Sequence, residues 1–123
     1  MKNYESRAAY KKEYYDKNKE AKAAYQKKYD QTVKGKYTIY KRSAKIREKD
    51  FHLTVDEFAT FWQKPCHYCG SSIDTIGLDR IDNDIGYQLD NIVSCCYICN
   101  IAKSDLSQEE YINHCKRVVY NLQ

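Results

Sequence analysis

Nowhere in the 123 residues does an apolar run approach 18 residues, which excludes a membrane-spanning helix. The opening MKNYESRAAYKK carries no hydrophobic segment of the kind a secretory signal needs, so the sequence is expected to work inside the cell, in the cytoplasm. Aliphatic residues are scarce: 42% of the chain is hydrophobic, but that share includes 13 tyrosines and 6 cysteines. A globular domain of the whole length would carry more, so only part of the chain is expected to form a packed body. Proline occurs once, at Pro65, and the first glycine is Gly35. Nothing before Gly35 breaks a helix.

Charge divides the chain. Residues 1–50 hold 16 Lys+Arg against 7 Asp+Glu, a net of +9, whereas residues 51–123 hold 5 against 10, a net of −5. The division predicts a basic Tyr/Lys-rich helical arm over 1–50 and an acidic packed domain over 51–123. A +9 arm attracts a polyanion through counterion release, and eight of the tyrosines are interleaved with its lysines, offering rings that stack on bases or sugars. Nucleic acid is the expected partner, with Lys11, Lys12, Lys27, Lys28, Lys41, Arg42, Lys45 and Arg47 as candidate contacts. Charge alone also suits a solvated helix laced with ion pairs.

A near-repeat opens the protein, with AAYKKEYYD at 8–16 returning as AAYQKKYDQ at 23–31. Its Ala, Lys, Glu and Gln predict one long helix over about residues 4–31, with Tyr10/Tyr14 and Tyr25/Tyr29 as i,i+4 pairs. After Gly35, KYTIYKRSAKIREKD reads as a second basic helix or an extended arm. Thr54 and Glu57 form a capping box, with Leu53 and Phe58 in the staple positions, and open a short helix whose Phe58, Phe61 and Trp62 are expected in the core. GLDRID and NIVSC read as strands around the loop NDIGYQLDN. A helix begins in CYICNIAKS, and Ser107 with Glu110 caps a last helix whose stripe of Tyr111, Ile112, Cys115 and Val118 or Val119 is expected to be buried. The packed part is thus strand, loop, strand, helix, flanked by helices.

Cysteines in a reducing compartment point to a metal rather than to disulfides. Cys66-x2-Cys69 and Cys96-x2-Cys99 lie 26 residues apart, a spacing that lets both pairs close on one tetrahedral Zn²⁺. Cys95 offers a competing pairing with Cys99, and His67 a competing ligand; Cys96 matches the knuckle spacing, which leaves Cys95 as a buried neighbour. Cys115 falls on the apolar stripe of the last helix. A closed four-sulfur site staples a fold and does no chemistry of its own.

Between the knuckles lie hard oxygen ligands. Taken in order, CHYCG, LDRIDNDIGYQLDNIVSCC and YICNIAKSDLS resemble the HNH endonucleases with a ββα-metal core and a four-cysteine zinc site, particularly the small phage-type members, over about residues 62–117. The basic Tyr/Lys repeat resembles the N-terminal arms of that group. The resemblance implies an α+β fold in which a zinc-stapled ββα-metal core follows a basic helical arm and carries a C-terminal helix. It also implies a phage-type protein acting in the cytoplasm of a bacterial host. It places Asp79 and Asn100 as ligands of a catalytic Mg²⁺ or Mn²⁺, and Asn91 as the residue that holds the loop and orients the base. Where the family has its general-base histidine, this chain has Arg80.

A guanidinium stays protonated at any working pH and cannot accept a proton from water, though it can clamp a phosphate. The base must be another residue, a metal-bound hydroxide or a phosphate oxygen. Asp82 is the expected base, because on a regular strand residues 80 and 82 face one side; His52, His67 and His114 have no positional support. Lys103 and Ser104 follow Asn100 by three and four residues and are expected to help hold the phosphate. Asp84 and Asp90 read as turn residues. The expected function is metal-dependent hydrolysis of DNA. The alternative is a non-catalytic zinc-stabilised nucleic-acid-binding module with a degenerate site, while a pure protein-interaction domain leaves the basic arm unexplained.

Overall fold

The structure, a computed structural model, describes the backbone of residues 4–123 and the side chains from residue 6 onward; the first three residues of the expected arm lie outside the described residues. Helix α1 (Tyr4–Asp30) is the uninterrupted helix that the Ala/Lys/Glu/Gln repeat predicts. None of its described side chains is buried, and Tyr10, Tyr14, Tyr25 and Tyr29 are all exposed. With no apolar face to bury, α1 gains nothing from the core; Glu13 and Lys17 form an i,i+4 pair along it at 3.2 Å.

Helix α2 (Val33–Ile46) starts two residues before Gly35. Its N-cap is Thr32, whose hydroxyl accepts from the Gly35 amide at 3.1 Å. Gly35 is buried in the elbow between α1 and α2, and a Cβ there would collide with the Tyr29 carbonyl oxygen. Glycine is required by that close approach.

Residues 33–49, expected in the arm, do not stay outside the packed body. Ala44 is fully buried, and Val33, Tyr37 and Tyr40 pack against the cluster of Leu53, Phe58, Phe61, Ile76, Leu78, Tyr87 and Ile92. The Tyr37 ring meets Phe51 and Phe58 edge-on at 5.4 and 5.5 Å, and its hydroxyl donates to the Leu53 carbonyl at 2.7 Å. A core short of aliphatics is filled by aromatic rings, each of which buries a large area and whose edge-to-face pairs add about 0.5–1.5 kcal/mol.

Helix α3 (Val55–Ala59) is opened by the Thr54/Glu57 capping box, both bonds of which are present. Strands β1 (Leu78–Arg80) and β2 (Ile92–Ser94) pair antiparallel, with Asp79 opposite Val93. The strands are only three residues each, and a 3₁₀ turn at Leu89–Asn91 leads into β2. Helix α4 (Tyr97–Lys103) and helix α5 (Gln108–Leu122) complete the fold, α5 opening with the Ser107/Glu110 box. The apolar stripe of α5 departs from expectation: none of its residues is buried, and Val119 is 55% exposed. Among the described residues, no helix is long and apolar enough to cross a membrane.

Candidate active site

The cysteine knuckles close first. Cys66, Cys69, Cys96 and Cys99 bring their sulfurs within 4.8 Å of one another, with Cys69 and Cys96 Sγ 3.6 Å apart. Bonds of about 2.3 Å to a tetrahedral ion would set sulfurs about 3.8 Å apart, so the cluster fits such an ion. The turn that presents Cys69 passes through Gly70 at φ 75°, and the Gly70 amide donates to the Cys66 carbonyl at 2.9 Å. Cys96 caps α4, its sulfur accepting from the Cys99 amide at 3.4 Å.

The thiols are pulled in opposite directions. Burial raises the Cys66 thiol, but amides of Cys69, Cys96 and Tyr68 directed at its sulfur outweigh it and bring it to about 6. Burial pushes Cys99 up to about 12. A dication would hold all four as thiolates. Cys95 lies outside this set, buried, with its Sγ donating to the Cys96 carbonyl at 3.4 Å and its thiol pushed up by burial and by the Asp79 charge. His67 is exposed and is not part of the cluster, and Cys115 is half-buried on α5.

Behind the cluster lies a carboxylate. Asp79, in the middle of β1, is 6% exposed; Tyr68 Oη donates to its Oδ2 at 2.8 Å, and Lys103 Nζ reaches Oδ2 at 3.2 Å and Oδ1 at 3.4 Å. Lys103, expected at a phosphate, is instead fully buried and also donates to the Arg80 carbonyl at 3.4 Å. Burial of the Tyr68 phenol, together with its bond to Asp79, pushes its pKa well up, so it remains a donor.

Asp79 also faces a cleft of about 530 Å³ walled by Ser43 of α2 and Arg47 at its C-cap, Arg80 of β1, the Asn83 loop, and Asn100 of α4 with Ser104 at that helix's C-cap. At its floor sits Tyr87, buried, with the Arg80 guanidinium 5.5 Å from the ring centroid and that of Arg47 at 5.8 Å. Arg47 Nη2 donates to the Tyr87 hydroxyl at 2.6 Å. Arg80 Nη1 donates to the carbonyls of Asn83 at 2.6 Å and Ile85 at 3.1 Å. Burial raises the pKa of Tyr40, another cleft residue, which keeps it protonated.

Asn91 holds the loop of residues 82–86 from within. Its Oδ1 accepts from the Asp82 amide at 2.9 Å, and its Nδ2 donates to the carbonyls of Asp82 at 3.1 Å and Gly86 at 3.0 Å. Asp82 does not share a face with Arg80. The strand ends at Arg80, and Asp82 is exposed in a turn, where Oδ1 accepts from the Asp84 amide at 2.9 Å; it is not among the residues that line the cleft. No histidine lines it either. Sequence reasoning missed Tyr40, Ser43, Tyr68 and Tyr87, and the role of α2 as a wall. Only Tyr68 carried a local signal, by standing inside a knuckle.

Oxygen donors from Asp79 and Asn100 suit a hard dication, which takes few protein ligands and completes its shell with water and phosphate oxygens. The carboxylate fits such an ion by count: about four lone-pair sites face only the Tyr68 hydroxyl and the Lys103 ammonium, which leaves room toward the cleft.

Comparison with known proteins agrees with this architecture. No family model matches the chain. It is 40% identical over 85 residues to an uncharacterised protein, R423, of Acanthamoeba polyphaga mimivirus, covering 68% of this chain and 16% of that protein. It is 35% identical over 77 residues to an uncharacterised 29.0 kDa protein from the dda-modA intergenic region of Enterobacteria phage T4, covering 57% of this chain and 31% of that one. The chain thus spans about a sixth to a third of the length of these relatives. Among solved structures, the rare-cutting HNH restriction endonuclease PacI is similar, with a TM-score of 0.54 and 25% identity over 61% of this chain and 68% of that one. The fold is α+β, of HNH-endonuclease likeness, with a four-cysteine cluster.

Proposed function

We propose that this chain is an HNH-type nuclease module that hydrolyses DNA phosphodiester bonds with Mg²⁺ or Mn²⁺ and is stapled by Zn²⁺ at Cys66, Cys69, Cys96 and Cys99. The observation that carries the reading is the convergence of Asp79 and Asn100 on one cleft that also holds two arginines, on a fold similar to that of an HNH restriction endonuclease. Asp79 and Asn100 would hold the divalent ion. That ion supplies polarisation of the scissile phosphate and stabilisation of the leaving 3′ oxygen.

The remaining work falls to side chains. Arg80 and Arg47, both braced against Tyr87, bind the scissile phosphate and offset the charge that builds on it. Ser104 and Asn83 offer further polar groups at the rim. The proton of the attacking water passes to a phosphate oxygen of the substrate, since no histidine lines the cleft and its carboxylate is assigned to the divalent ion.

The nucleic-acid arm in this reading is α1, with exposed Lys11, Lys12, Lys27 and Lys28, and the division between arm and domain lies at the α1–α2 elbow. Lys41, Arg42, Lys45 and Arg47 extend the basic surface along α2 up to the cleft. One observation favours a second reading, a non-catalytic binding module: Arg80 stands where the family has its base and is tied into its own loop.

Plasmid incubation with Mg²⁺ or Mn²⁺ separates the two. Nicking or linearisation by the wild type and not by Asp79→Asn supports the nuclease; DNA binding without cutting supports the module.

A further inference from the structure

We propose that Tyr68 is a positioning residue that ties the Asp79 carboxylate to the four-cysteine cluster, so that the zinc-bound knuckle sets the orientation in which Asp79 receives the divalent ion. The inference rests on the nuclease reading above and adds a positioning residue to that site.

Tyr68 lies within Cys66-His67-Tyr68-Cys69, so the knuckle's geometry sets where its ring points. The ring is clamped edge-on between His67 at 5.1 Å and Tyr111 at 5.4 Å. From that position the hydroxyl donates to Asp79 Oδ2 at 2.8 Å.

The opposite side of the carboxylate is held from the second knuckle. Cys96 caps α4, Cys99 lies in its first turn, and Lys103, on the last turn of the same short helix, pairs with Asp79 at 3.2 Å. Both groups that orient the carboxylate therefore hang from cysteine ligands, one from each pair. The strand itself gives little support, because β1 is three residues long. Zinc held by the two knuckles would thus fix, through Tyr68 and Lys103, the orientation of a ligand it does not touch, in the way that outer-shell partners orient metal ligands.

The test compares full-length, zinc-loaded wild type with Tyr68→Phe, which keeps the ring and removes only the hydroxyl. Zinc per chain is measured by elemental analysis, and Mn²⁺ affinity by electron paramagnetic resonance with and without duplex DNA. Single-turnover cleavage is measured across Mn²⁺ concentration. The expected result is unchanged zinc, Mn²⁺ affinity weaker by about 10- to 100-fold, and cleavage recovered at high Mn²⁺.

Mn²⁺ affinity within about threefold of wild type overturns the proposal, given the effect expected of an outer-shell partner. Loss of zinc from Tyr68→Phe also overturns it, because the hydroxyl would then serve the knuckle rather than the carboxylate. Wild type that binds Mn²⁺ but cuts nothing defeats the nuclease reading alone, while its affinity relative to Tyr68→Phe still decides the coupling.

Discussion

Arg80 and Lys103 are cations in opposite situations, although the Lys103 ammonium donates to the Arg80 carbonyl at 3.4 Å. Arg80 is half-buried at the cleft, with one guanidinium nitrogen donating to two loop carbonyls and the ring of Tyr87 beneath it. Removing it takes away a loop anchor and, on the proposed nuclease reading, a phosphate clamp, so Arg80→Ala should lower the cleavage rate by about 10²–10³, the usual cost of one donor at developing charge. Arg80→Lys should not rescue it, because an ammonium keeps the charge but lacks the planar fork. Single-turnover rates of both variants check this; a lysine variant with wild-type rate would reduce the role to charge alone. Lys103 has 0% exposure and balances a carboxylate that is itself buried. Lys103→Met would leave Asp79 charged and uncompensated, a loss of about 3–5 kcal/mol measurable by urea unfolding. A double-mutant cycle with Asp79→Asn should recover part of that loss, since the two residues form one pair.

At the scale of elements, the boundary between α1 and α2 makes a sharp prediction. Deleting residues 1–31 removes a helix none of whose described side chains is buried, so the remaining chain should keep its zinc and its unfolding transition. DNA affinity should drop, and the slope of log affinity against log salt should flatten by about 0.9 for each phosphate that a lysine of α1 no longer neutralises. Deleting residues 1–50 removes Tyr37, Tyr40 and Ala44 from the core and should unfold the domain. Circular dichroism melting of the two truncations tests the contrast; equal stability would return α2 to the arm.

What could be read from sequence follows the same line between local and distant causes. The caps at Thr54/Glu57 and Ser107/Glu110 are interactions three residues apart, and both are visible in the letters. The long α1, the paired strands and the cysteine spacing are likewise local. Asp82 departs from expectation because period-two facing assumes a strand that continues, and β1 stops at Arg80. Lys103 departs from it because a charge suggests solvent, whereas Asp79 buries this one as a partner 24 residues away. The aromatic packing of α2 and the exposed stripe of α5 depend on what each helix meets in three dimensions, which no spacing reports.

For the whole molecule, the sulfur cluster stands in for the aliphatic core the chain lacks. One Zn²⁺ per chain is expected by elemental analysis, and stripping it with a chelator should abolish the cooperative unfolding of residues 33–123 while leaving helical signal from α1. A melting profile unchanged by chelation would contradict the staple. On the proposed nuclease reading, the cleft of Asp79, Asn100 and Arg80 cuts DNA. Single-turnover cleavage of a labelled duplex at saturating protein is titrated with Mn²⁺, with Asp79→Asn as the matched variant because it keeps the side chain's shape and one acceptor oxygen while removing the charge, its zinc content and melting profile being measured alongside because it also breaks the buried pair with Lys103. The wild-type rate is expected to rise and saturate with Mn²⁺, and the Asp79→Asn rate to be lower by about 10²-fold or more at equal DNA binding. A zinc-loaded wild type that binds the duplex yet leaves it intact at every Mn²⁺ and Mg²⁺ concentration would contradict that reading.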